Sequence, residues 1–153
     1  MQRRAGSRGA NFIDAAPLAL CYGVTRLNST GAQQMKPDHD ELTRRLIEFR
    51  DERDWRQFHS LKNLIMSAAM EAAEIMELTQ WKDDEAVESA AQGDTQFRAA
   101  LAEECADVFL YLLLICERAE IDLTEAATSK IELNARKYPV DKAKGNAKKY
   151  TDL

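Results

Sequence analysis

Proline, glycine and cysteine are scarce in this 153-residue chain: three, six and three residues respectively. With so few breakers, long segments are free to be helical, and no glycine-rich phosphate loop is present. Cys21, Cys105 and Cys116 form an odd set without CxxC spacing, which excludes a disulfide framework or zinc knuckle and fits a reduced, cytoplasmic setting. The longest apolar run, Val108 to Cys116, has nine residues. A membrane-spanning helix needs roughly 20, so no membrane partner is expected. Basic residues are outnumbered, 21 to 26, for a net charge of −5. Such a balance argues against a general binder of nucleic-acid polymers, because phosphate neutralisation needs clustered Lys and Arg. Histidine is rarer still. Neither His39 nor His59 lies in a Glu-x-x-His pair, which sets aside a ferritin-like di-metal oxidase.

What remains is ordinary globular material, 45% hydrophobic and 31% charged, of a length that fits one domain or a subunit completed by a partner. The charge is uneven. In residues 1–35, Arg3, Arg4, Arg8 and Arg26 stand against Asp14 alone, net +3, leaving −8 for the rest. That stretch has neither a helical nor an alternating apolar period and reads as a poorly ordered extension, with Met35 an alternative start. Residues 36–153 form the domain proper. Asp38 can cap a helix to about Arg53, and Ser60 a second to about Trp81. Residues 82–95 read as a polar connection. Asp94 or Thr95 can cap a third helix to about Ala119, and Asp122 or Thr124 a fourth to about Tyr138, where Pro139 stops it. The expected class is all-α, a four-helix bundle. Because the third helix is apolar nearly all round from Val108 to Cys116, the bundle is expected to be completed by homo-oligomerisation, as a homodimer or homotetramer.

The informative anomaly is where the acids lie. On a helical wheel the third helix carries an apolar stripe of Phe97, Leu101, Val108, Leu112 and Ile115, and Glu104 falls inside it. Asp107 lies on its edge, near Tyr111. On the second helix Glu71 points with Leu64 and Leu78, and Glu74 sits one turn along. Both helices thus carry an acid pair at i, i+3. Four carboxylates meeting at the edge of a core would repel one another and resist desolvation. A hard cation removes that conflict, and an all-oxygen ligand set suits Mg²⁺ or Mn²⁺. Two such pairs in a chain with 26 acids also occur as plain solvated surface. Glu103, Glu77 and Glu48 lack an apolar setting and read as that surface.

Glu71-Ala-Ala-Glu74 followed by Glu104-Cys-Ala-Asp107 resembles the ExxE…ExxD signature of MazG-like, all-α nucleoside triphosphate pyrophosphohydrolases, and among these the dCTP pyrophosphatases most of all. The resemblance runs over about residues 40–153. It rests further on Glu52-Arg-Asp-Trp55, Phe58-His59, Lys62-Asn63-Leu64, Gln80-Trp81-Lys82, Asp107-Val108 with Tyr111, Ser129-Lys130, Asn134, Lys137-Tyr138-Pro139 and Lys149-Tyr150-Thr151. It implies hydrolysis of a nucleoside triphosphate to monophosphate and pyrophosphate, as nucleotide-pool house-cleaning. Glu71, Glu74, Glu104 and Asp107 would hold Mg²⁺ and do the catalysis.

The same resemblance places Trp55, His59, Trp81 and Tyr111 around the base and sugar, where indoles can sandwich a pyrimidine. Lys130, Asn134 and Lys137 would form a phosphate-facing stripe, with Lys62 and Tyr138 also in contact with substrate. The basic tail, with Lys142, Lys144, Lys148 and Lys149, would fold over the phosphates. One departure bears on base choice: where some relatives carry a histidine two positions before Glu48-Phe49, this chain has Leu46. A dUTPase-like or broad dNTP specificity is the rival within the enzyme reading. A non-catalytic helical oligomerisation module is the rival outside it, and it leaves acids inside an apolar arc unexplained.

Overall fold

The computed structural model describes residues 37–153, so the expectations for residues 1–35 lie outside the described part. Five helices of ten or more residues follow one another: α1 (His39–Asp51), α2 (Leu61–Glu77), α3 (Asp84–Gly93), α4 (Thr95–Arg118) and α5 (Leu123–Lys137). A 3₁₀ turn (Trp55–Phe58) precedes α2, and a short α6 (Val140–Ala143) and a second 3₁₀ turn (Tyr150–Asp152) end the chain. No strand occurs among the described residues. The all-α class therefore holds. None of these helices is long and apolar enough to cross a membrane.

Each long helix starts where a short polar side chain can bind its free amides. Asp38 accepts from the Glu41 amide at 2.9 Å, Ser60 from Asn63 at 3.2 Å, Asp83 from Ala86 at 2.8 Å and Asp122 from Glu125 at 2.8 Å. Asp94 binds two, Gln96 at 2.8 Å and Phe97 at 3.1 Å. Asp94 and Asp122, rather than Thr95 and Thr124, are thus the caps that the sequence left open. Two expectations need correction. Residues 82–95 are not a connection, because the Asp83 cap starts α3, whose half-buried Val87, Ala90 and Ala91 give it an apolar side, and the helix packs on α4. And α2 ends at Glu77, with Leu78–Trp81 as turns.

The core forms where α1, α2 and α4 meet: Leu46, Leu64, Leu110, Leu113 and Leu114, the last with no exposed surface. Leu64 meets the C-terminal half of α4 while Glu71 and Glu74 lie beside Glu104. Rising numbers on α2 thus meet falling numbers on α4, and the two helices run antiparallel. Of the expected stripe Phe97 is buried, but in the C-terminal half of α4 the buried face differs from the expected one. Leu110, Leu113 and Leu114 lie on roughly the opposite side of the wheel from Val108, Leu112 and Ile115. Leu112 is exposed, and Val108 and Ile115 only half-buried. A segment apolar all round carries no periodic signal to say which side its own chain will cover.

Much apolar surface stays bare. On α2, Ile65, Met66, Met70 and Met76 are exposed, Met76 at 61%. Residues 124–136 of α5 are all exposed, Ile131 at 70%.

Candidate functional site

The antiparallel pairing of α2 and α4 brings the two acid pairs together. Glu71, Glu74 and Glu104 each offer a carboxylate oxygen within 4.8 Å of the others. Asp107, one turn along α4, lies outside that tight group but within electrostatic reach of Glu71. None of the ion pairs among the described residues involves these acids. Their mutual repulsion is visible in their proton affinities. Partial burial, then the charges of Glu74, Asp107 and Glu104, push Glu71 up to about 7. Glu104 is raised by burial, then by Glu74, Asp107 and Glu103. Asp107 is raised by burial, then by Glu103 and Glu74. Glu103, read as surface, is exposed, yet its charge bears on both neighbours. Its i, i+4 spacing to Asp107 was the available signal.

All donors are carboxylate oxygens on rigid helices, the set that suits a hard divalent cation. A cation would also relieve the repulsion that lifts the three proton affinities. The residues fit such a metal.

This arrangement of acids sits in a segment with a known pattern: residues 66–153, covering the last twelve residues of α2 and all of α3, α4 and α5, match the sequence profile of the MazG-like family. The chain belongs to that family. Among its relatives are dCTP pyrophosphatase 1 of Bos taurus, 42% identical over 118 residues, and that of Homo sapiens, 41% identical over 119. Each alignment spans 77% of this chain and 69% of the relative. The fold is also similar to the crystal structure of a pyrophosphatase from Archaeoglobus fulgidus, with a TM-score of 0.60 and 40% identity, over 71% of this chain and 99% of that one.

In this MazG-like chain the other candidate residues scatter. Tyr111 is half-buried on α4, near Ser67 of α2, and close enough to Glu71 and Asp107 to feel their charge. It alone of the nine candidates for substrate contact acts electrostatically on or with the acids. Trp55 and His59 precede α2. Trp55 is half-buried, its ring edge-on to Phe49 at 5.7 Å, and Arg53 lies over that Phe49 ring at 3.7 Å. Trp81 follows α2 and is 89% exposed. Trp55 thus precedes and Trp81 follows α2, whose 17 residues are about 25 Å long. Lys62 is exposed on the first turn of α2, and Lys130 and Asn134 on α5. Lys137 and Tyr138 turn to the tail, where Lys137 Nζ lies 5.0 Å from the Tyr150 ring and Tyr138 meets the same ring edge-on at 6.0 Å. Leu46 is buried in the core and brings no polar atom to any site.

Proposed function

We propose that this MazG-like chain hydrolyses dCTP, or a modified dCTP, to the nucleoside monophosphate and pyrophosphate, with Mg²⁺ held by Glu71, Glu74, Glu104 and Asp107. The chain is a nucleoside triphosphate pyrophosphohydrolase. The observation that carries the reading is the trio of carboxylates from two helices within 4.8 Å, paired with no cation among the described residues. When bound, Mg²⁺ supplies charge neutralisation of the triphosphate and a Lewis acid for its hydrolysis. Glu71, Glu74, Glu104 and Asp107 fix its place, and whichever of them lies nearest the attacking water orients it and takes its proton. Tyr111, beside the acids, offers a hydroxyl to the sugar or phosphates. Lys130, Asn134 and Lys137 form the polar stripe of α5 suited to the phosphate tail, and Trp81 offers a stacking face to the base.

Incubating the chain with each dNTP and Mg²⁺ tests this. The expected products are monophosphate and pyrophosphate, with dCTP or a modified dCTP favoured; orthophosphate, or no turnover of any nucleotide, would refute it. Trp81→Ala should raise KM for dCTP about tenfold and leave kcat within a factor of about three, because stacking is worth ~1–3 kcal/mol and is made before the chemistry. An unchanged KM would take Trp81 out of the pocket.

Trp55 and His59 precede α2 and Trp81 follows it, an arrangement in which a second copy can supply one of the two groups to a nucleotide. The bare faces of α2 and α5 are where that copy would dock, consistent with a homodimer or homotetramer. Sedimentation at micromolar concentration should give a dimer or larger. A 17.3 kDa monomer would contradict the shared site.

A further inference from the structure

Arg50 is the one charged side chain buried among the described residues, 4% exposed at the end of α1. Its guanidinium donates to Asp51 at 2.7 Å and to Glu117 of α4 at 3.5 Å, tying the end of α1 to α4. Nothing in the family's acid signature calls for it. A buried guanidinium costs several kcal/mol unless well paired, so its neighbours matter. Nine residues on, His59 presents the one buried side-chain nitrogen or oxygen among the described residues that has no hydrogen-bond partner, its Nδ1. The backbone that carries the ring is fixed on both sides. The His59 amide donates to the Arg56 carbonyl at 3.2 Å, Asn63 Nδ2 to the Phe58 carbonyl at 2.9 Å, and Ser60 caps α2 directly after.

A neutral imidazole carries its proton on one nitrogen and leaves the other bare. An Nδ1–H at this place would be a buried donor without an acceptor, lying in the field of a positive guanidinium. A bare Nδ1 lone pair is instead favoured by that field. Arg50 and Asp51 are the charged groups that act on the ring, while Glu117 and Arg56 act in turn on Arg50 and Asp51. Because Asp51 is already hydrogen-bonded to Arg50, the guanidinium prevails. Burial and Arg50 together hold the imidazole below its usual proton affinity, against Asp51.

We propose that Arg50 is a positioning residue that fixes His59 as a one-way hydrogen-bond donor, with Nδ1 bare in the interior and Nε2–H the polar group it offers a nucleotide. Such a side chain recognises an acceptor, a carbonyl, ring or phosphoryl oxygen, and rejects a donor at the same point. The proposal rests on the reading of His59 as a nucleotide contact.

With only two histidines, ¹⁵N-histidine labelling resolves both rings, and His39, whose Nδ1 lies 3.4 Å from Thr124 Oγ1, is the internal control. The expected spectrum shows His59 with bare Nδ1 and protonated Nε2 from about pH 6 to 8, titrating below the ordinary value of about 6.5. Arg50→Met should move that titration upward and leave His39 where it was. Glu117→Gln, which loosens the tie to α4 but keeps the guanidinium, should leave His59 near its wild-type midpoint. In dCTP hydrolysis Arg50→Met should raise KM roughly three- to tenfold with kcat nearly constant. A protonated Nδ1 in the wild-type chain, which needs no variant to observe, would overturn the proposal. So would an Arg50→Met chain whose His59 titrates as before, or whose KM is unchanged. A wild-type chain that hydrolyses no nucleotide yet shows the expected ring nitrogens would instead overturn the functional reading alone.

Discussion

Glu74→Gln should lose at least about a hundredfold in kcat while keeping its helical circular dichroism, and the same holds for Asp107→Asn. Each change is close to isosteric, so packing is kept and only a charged oxygen ligand is lost. A metal's electrostatic contribution to phosphoryl chemistry is several kcal/mol, and each ~1.4 kcal/mol is tenfold in rate. Loss of activity by itself would not distinguish a ligand from a structural residue; stability does. In the absence of metal, neutralising one of three carboxylates packed within 4.8 Å relieves repulsion, so the metal-free Glu74→Gln chain should melt no lower than wild type. Added Mg²⁺ should then stabilise the variant less than wild type, by mass action on a weakened site. Steady-state kinetics and thermal melts with and without Mg²⁺ check both halves. Retained activity in both variants would remove the metal assignment.

The metal-free chain should become more stable on acidification from about pH 7 toward 4.5, the reverse of what an acid held by a cation does. Folding raises Glu71 from 4.5 to about 7, so the folded state holds this proton more tightly than the unfolded state does. Between those values the unfolded chain has lost the proton and the folded chain keeps it, and stability falls as pH rises through the window. Glu104 and Asp107 shift in the same direction. For a partly solvated group, screening reduces the effect to about 1 kcal/mol, a shift of a few degrees in melting temperature. Two other groups act differently. Glu41, held down to about 2 by Arg44 and Arg45, contributes a constant amount above about 4.5 and loses it only below that pH, outside the window. His59, whose proton affinity burial and Arg50 lower, destabilises the fold as pH drops below 6.5 and so opposes the trend. Glu71→Gln separates them, since it should flatten the rise attributed to the acids and leave the His59 contribution. Saturating Mg²⁺ should do the same in wild type, because metal and protons compete for the same oxygens. A Glu71→Gln chain whose melting temperature varies with pH in this window as wild type's does would mean that Glu71 stays solvated and apart from the other acids.

Much of this was legible in residues alone. The capping side chains announce the helix starts, because an unsatisfied first turn needs a short polar acceptor just before it. Acid pairs at i, i+3 on two apolar stripes pointed to a shared cation, because a cation relieves the repulsion and desolvation that carboxylates meet at the edge of a core. α3 was missed: its polar residues hide a helix whose start is set by Asp83 and whose docking is set by α4. The face of α4 was missed too, since a segment apolar on all sides offers no period to read.

The sequence by itself determined the helical class, the approximate starts of four of the five long helices and the two acid pairs as candidates, for these depend on spacing along the chain and on local hydrogen bonding. Only the tertiary structure decided which acids meet, that Asp107 stands outside the tight trio, and that Arg50 is buried and reaches across to Glu117. Each of these follows from how separate helices register against one another, and that register is fixed by packing between residues far apart in the chain.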